Sequence, residues 1–152
     1  MLPGTALEKD RVVPGTPMTE SSSGAQVSMW DLRQRFSAAV CFLHDRCEAC
    51  ADYARKLAAL ENDLREVDAR AIVVLSEPSV LALPVWVDER PRARGRFLGP
   101  SAELPVILIV DRYGAALRSF PSPGHAFPLP EEVVATLRHL AFQCPECGVP
   151  EW

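Results

Sequence analysis

Apolar residues fall along this chain in two rhythms. Ala38 to Leu43, Ala69 to Leu75 and Pro105 to Val110 are short runs with little polar alternation, the pattern of strands buried on both faces. Between the first two runs, Cys50, Tyr53, Ala54, Leu57, Leu60 and Leu64 recur at spacings of three and four. Asp52, Arg55, Lys56, Glu61, Asp63 and Arg65 take the opposite side. That spacing predicts one amphipathic helix from Cys47 to about Val67. A second helical pattern, through Val133, Val134, Leu137, Leu140 and Ala141, predicts a helix over residues 131–142. Gln26 to Met29 reads as a short strand before a brief helical piece, Trp30 to Arg35, and Val85 to Val87 as another short strand. Asp111-Arg-Tyr-Gly114 is a turn signal between Pro105–Val110 and a partner strand, Ala115 to Phe120. The order strand, helix, strand, crossover, hairpin, helix predicts an α/β fold: a mixed β-sheet with helices on both faces.

Punctuation divides the chain into three parts. Prolines cluster in residues 3–17, 78–84 and 121–130, between the predicted elements. Residues 1–25, with their Ser-Ser-Ser-Gly stretch, read as an extended, turn-rich arm; residues 26–142 form the domain; residues 143–152 are a tail. Arg90, Arg92, Arg94 and Arg96 alternate by two, which makes no single helical stripe, and they read as solvated surface. Trp30 and Trp86 read as core or cleft-wall aromatics.

Composition narrows the functional classes. With 152 residues and 48% apolar content the chain is long enough for one real core. Sixteen basic against twenty acidic residues give a net charge of −4, which argues against a nucleic-acid binder. The longest apolar run, Leu104 to Val110, holds a proline and falls well short of the ~18 residues of a membrane helix. No basic segment followed by an apolar one marks the N-terminus as a signal peptide, so a cytoplasmic location is expected.

Five cysteines change the picture. Four form two C-x-x-C pairs, Cys47/Cys50 and Cys144/Cys147, and paired cysteines in a reducing compartment bind metal or do redox chemistry more often than they staple a fold. The first pair sits where a buried strand hands over to a helix. Free N–H groups and the positive end of the helix dipole favour a thiolate there, so Cys47 is expected to be the more acidic and exposed sulfur. Cys50 lies on the same helical face, close enough to close a disulfide with little backbone movement. Arg46 favours the thiolate while Asp45 and Glu48 oppose it, a poise towards a reductase. The chemistry follows: Cys47 attacks a substrate disulfide, and Cys50 resolves the mixed disulfide.

The setting of this pair resembles the thioredoxin superfamily, and more closely its redoxin branch, the thiol-specific antioxidant and alkyl hydroperoxide reductase-like proteins. The resemblance covers roughly residues 26–142. It rests on Gln26-Val-Ser-Met-Trp-Asp-Leu32, on Cys47-Glu-Ala-Cys50 and on Glu103-Leu-Pro105-Val-Ile-Leu-Ile-Val-Asp111 followed by Arg112-Tyr-Gly114. It implies a thioredoxin-like fold with an N-terminal extension of the redoxin type. It also implies a cis peptide at Pro105, which faces the cysteine pair and, with Leu104, His44 and Arg46, shapes the substrate cleft. Departures are equally informative. Peroxiredoxins of this branch carry a proline seven residues, and a Thr or Ser three residues, before their peroxidatic cysteine; Val40 and His44 stand there. Thioredoxins keep a buried acid about six residues before the first cysteine, where this chain has Cys41. The nearest remaining proton acceptor is His44. His125, in the proline-rich loop, is expected at the same pole but reads by default as an exposed loop residue.

Cys144-Pro-Glu-Cys147 has the spacing of half a zinc knuckle. A local disulfide or dithiol with a structural or relay role is the first reading. A metal site completed by another chain or by other ligands is the second, and a fold-back relay to Cys47/Cys50 the third. In a thioredoxin-like fold the last helix starts at the Cys47/Cys50 pole and carries Cys144 some ~18 Å away, which argues against one four-thiolate site. The expected function is thus a thiol–disulfide oxidoreductase. It needs no cofactor beyond its redox-active disulfide, and it acts with a protein or small-molecule disulfide and an external reductant. Alternatives are a peroxiredoxin-like hydroperoxide reductase and a non-catalytic, zinc-binding protein. The oligomeric state stays open, a homodimer being one option, with neither nucleic acid nor membrane as partner.

Overall fold

The computed structural model describes residues 11–99 and 101–142. Among these residues eight strands, β1 (Arg11–Val12), β2 (Met18–Glu20), β3 (Gln26–Val27), β4 (Ser37–Phe42), β5 (Ala69–Leu75), β6 (Val85–Val87), β7 (Val106–Val110) and β8 (Ala115–Pro121), form one sheet in the order β1-β8-β7-β4-β5-β6-β2-β3. Its centre is β4, with β5 parallel on one side and β7 antiparallel on the other. β6 continues the parallel half, and β8 closes the hairpin with β7.

The three long apolar runs have no polar alternation because both of their faces are covered. Ala39 and Cys41 of β4 and Leu43 just beyond it, with Ala71 and Val73 of β5 and Ile107 and Ile109 of β7, enter one core layer. It is covered by α1 (Glu48–Ala58), α2 (Glu61–Glu66) and α4 (Pro130–Ala141), through Leu57, Leu64 and Leu137. The alternate residues, Val40, Phe42, Val74 and Leu108, pack on Trp86 and on Phe97 and Leu98 of α3 (Arg92–Leu98). The mixed sheet with helices on both faces is therefore observed.

Three expectations change. The helix predicted from Cys47 to Val67 is two, broken at Ala59 and Leu60. Leu57, Leu60 and Leu64 keep their phase through the break, so the apolar spacing does not reveal it. The arginines reach solvent as expected, Arg94 only partly, but the segment from Arg92 on is a helix that the alternation did not predict. This is α3, which buries Ala93, Phe97 and Leu98 and leaves Arg92 and Arg96 outside, while Asp88 accepts the first-turn N–H groups of Ala93 and Arg94 at 3.0 Å each. Trp86 is buried as expected, but Trp30 is 58% exposed and lies over Gly15, where a Cβ would come within 2.5 Å of the indole.

The segment read as an arm contributes to both edges of the sheet. β1 pairs with β8, whereas β2 lies between β6 and β3. Residues 13–17 cross between the edges, and Val13 and Met18 are buried in the layer beneath α3. Strands of two or three residues interrupted by Pro14 and Pro17 are too short to show a period of two.

Candidate active site

β4 ends against the site. After the buried Leu43, the segment His44-Asp-Arg turns the chain into α1, with Arg46 in the left-handed region at φ 49°. This turn is tied down at the end of β5. The Asp45 carboxylate accepts the backbone N–H groups of Ser76 and Glu77 at 2.9 and 3.0 Å and the Ser76 hydroxyl, and Arg46 pairs with Glu77 at 3.5 Å. Two of the three charges expected to act on the sulfur, Asp45 and Arg46, therefore have partners of their own. Arg46 is largely solvent-exposed, so its ion pair adds little stability.

Cys47 is the N-cap of α1. Its Sγ accepts the N–H of Cys50 at 3.3 Å, as a serine hydroxyl does in an ordinary cap. Cys47 is half-buried and Cys50 is 1% exposed, and both are free thiols. Burial, reinforced by the hydrogen bond with Cys47, pushes the Cys50 thiol up to about 12, against a lowering pull from the His44 backbone N–H. Directly behind lies Cys41, buried and likewise pushed up to about 12 by burial and by the nearby Cys50. Cys41 thus packs as a small buried hydrophobe at the position where thioredoxins keep an acid.

A residue that the sequence reading left as loop surface completes the cluster. His125 Nε2 lies 3.3 Å from Cys47 Sγ and 3.2 Å from His44 Nδ1. Its position follows from the hairpin. The Pro105 carbonyl accepts the N–H of Ser122 at 2.9 Å, and Ser122 in turn accepts the N–H of His125 at 3.0 Å, closing a short 3₁₀ turn over Pro123–His125. Phe127 stacks on Tyr53 of α1 at 4.2 Å and 13°, which draws the loop onto the helix. The only sequence signal was a histidine just after a hairpin that ends at the cysteine pole.

An open groove of about 270 Å³ runs beside the sulfurs, lined by His44, Arg46, Cys47, Cys50, Ser79 and Leu81 among others. The Leu104–Pro105 peptide is cis, as the resemblance implied. Pro105 stands at the end of β7, beside the end of β4, and reaches the site through Ser122. Leu104 packs with the layer beneath α3 and borders a separate small pocket with Phe42, Asp45 and Asp88. Of the predicted cleft residues, His44 and Arg46 line the cysteine groove, and Leu104 and Pro105 do not. Arg138, near the end of α4, comes within 3.9 Å of Asp63 and Glu66 on α2, so α4 runs away from the cysteine pole. Cys144 and Cys147 lie outside the described residues, as do residues 1–10. No helix among the described residues is long and apolar enough to cross a membrane.

No family model matches the chain, and no curated protein matches it in sequence. Solved structures do match in shape. A peroxidoxin from Mycobacterium tuberculosis superposes with a TM-score of 0.72 at 15% identity, over 88% of this chain and 98% of its own. A putative protein disulfide isomerase from Bacteroides thetaiotaomicron gives 0.71 at 14%, over 94% and 96%. The thioredoxin domain of a thiol-disulfide oxidoreductase from Bacteroides vulgatus gives 0.66 at 13%, over 90% and 99%. Identities this low speak to the fold, and the fold is clear: this chain has the thioredoxin-like architecture.

Proposed function

We propose that the protein is a thiol–disulfide oxidoreductase working through Cys47 and Cys50. The observation that carries this reading is a half-buried thiol at a helix N-cap, with a buried thiol three residues on and an imidazole nitrogen 3.3 Å from the outer sulfur. The helix end and its N–H groups favour negative charge on Cys47, and His125 offers a place for its proton. The Cys47 thiolate attacks one sulfur of a substrate disulfide. A Cys47–substrate bond forms, the substrate S–S bond breaks, and one substrate thiolate leaves. Cys50, kept protonated by its burial, gives up its proton as it attacks Cys47 and expels the second substrate thiol. The products are a Cys47–Cys50 disulfide and a two-electron-reduced substrate, and an external dithiol resets the pair. Cys144 and Cys147 take no part in the exchange in this reading.

The test is reduction of a peptide disulfide by the reduced protein. Cys47→Ser is expected to fall to background. Cys50→Ser should accumulate a mixed disulfide visible by mass, and joint substitution of Cys144 and Cys147 by serine should leave turnover in place. Turnover in Cys47→Ser equal to that of the parent overturns the assignment. Hydrogen peroxide consumption that needs Cys47, without disulfide exchange, would replace it with peroxide reduction. The fold also serves that chemistry, but His44 supplies no hydroxyl at the position where peroxiredoxins of this branch keep one.

A further inference from the structure

The cysteine pole gathers four metal-binding side chains, three from residues 44–50 and one, His125, from the loop after the hairpin. One ligand atom each from His44, Cys47, Cys50 and His125 lies within 4.8 Å of the other three. A tetrahedral zinc ion, with Zn–S of about 2.3 Å and Zn–N of about 2.0–2.1 Å, sets its ligand atoms roughly 3.3–3.8 Å apart. Here the two imidazole nitrogens are 3.2 Å apart and the nitrogen–sulfur separation is 3.3 Å. These two separations match a ligand shell, and the remaining ones, all within 4.8 Å, need only a small inward shift of side chains to close on an ion.

The hydrogen bonding points the same way. His125 Nε2 faces both His44 Nδ1 and Cys47 Sγ, yet a single ring nitrogen has one proton or one lone pair to offer, not two. A cation between them accepts a lone pair from every member of the group. Two thiolates balance the charge of a divalent ion, and two neutral imidazoles complete a nitrogen–sulfur set suited to zinc rather than to magnesium or calcium. The one carboxylate in the turn, on Asp45, is engaged by Ser76 and Glu77. His44 is exposed and the groove is open, so an ion has a route from solvent.

We propose that the reduced protein binds one zinc-class divalent ion through His44 Nδ1, Cys47 Sγ, Cys50 Sγ and His125 Nε2. The proposal shares its cysteines with the exchange reaction and rests on their being a free dithiol, though not on turnover. Occupancy and oxidation then exclude each other. With a disulfide R–S–S–R as oxidant, the two thiolates form the Cys47–Cys50 bond, two R–S⁻ leave, and the ion is released.

Cobalt(II) is the probe, added anaerobically to the reduced full chain carrying Cys144→Ser and Cys147→Ser. One cobalt per chain is expected, with the visible spectrum and thiolate charge-transfer band of a four-coordinate site, displaced by zinc. His44→Ala and His125→Ala should each weaken binding about tenfold or more, since even outer-sphere changes cost that much at metal sites. They should also remove the rise in Tm that zinc produces in the parent. Absent cobalt uptake, a six-coordinate spectrum, or affinity unchanged by both histidine substitutions overturns the site. Disulfide exchange assayed under a chelator separates the two readings. Exchange without cobalt binding sinks the metal site alone, and cobalt binding without exchange sinks the redox reading alone.

Discussion

On one face of the central sheet Ala39 and Cys41 of β4, with Leu43 just beyond it, meet α1, α2 and α4; on the other, Ala38, Val40 and Phe42 of the same strand meet α3 and residues that flank the crossing segment. The first face is covered by longer helices with apolar stripes, and it holds Cys50, with Cys47 packed against it. The second is covered by one seven-residue helix, a buried tryptophan and a chain crossing from edge to edge, with no sulfur chemistry. Regular cover and chemistry thus coincide, because a reactive thiol needs a helix end to sit on and a packed helix to hold that end still. Irregular cover is sufficient where the task is only to exclude water.

If the two faces divide their work in this way, the largest effect should come from the quiet one. Phe97 is fully buried, with its ring edge-on to Phe42 at 5.7 Å. Phe97→Ala should cost about 3–5 kcal/mol in urea unfolding. The rate at which a thiol reagent captures Cys47 in the folded protein should stay that of the parent, and a changed rate would break the division.

Asp45→Ala probes the seam between strand end and site. Three donors on residues 76 and 77 lose their acceptor, for an expected cost of about 1–3 kcal/mol in the same measurement. Unlike Phe97→Ala, it should alter capture of Cys47, because it frees the turn that places the sulfur.

A further effect is one of pH and belongs to the site face. Cys41 and Cys50 are raised from an ordinary value of 9.0 to about 12 in the folded protein. Below the ordinary value both states hold these protons, and folding is indifferent to pH on their account. Between 9 and 12 the unfolded chain ionises while the folded one does not, so stability falls as pH rises. Urea midpoints of the reduced protein from pH 8 to 11 should show this decline, and Cys41→Ala should flatten it. An unchanged slope in that variant would remove Cys41 from the account.

Much of the site face was legible because its signals are local. The run Ala69–Leu75, the triplet Val85–Val87 and the cysteine pair at a strand–helix junction lie where the periodicity put them. α3 was not legible, since arginines at alternate positions and Gly95 hide the buried Ala93, Phe97 and Leu98. The break after Ala58 was invisible for the opposite reason, an apolar phase that continues through it.

The sequence by itself determined the strands, the helix that begins at Cys47 and the pairing of Cys47 with Cys50, because each depends on neighbours a few residues away. Tertiary structure alone decided that His125 meets Cys47. Those residues stand 78 positions apart. What joins them is the β7–β8 hairpin, the hydrogen bond from Ser122 to the Pro105 carbonyl and the stacking of Phe127 on Tyr53. Contacts between distant segments are set by packing of the whole sheet, and no local pattern of polar and apolar residues records them.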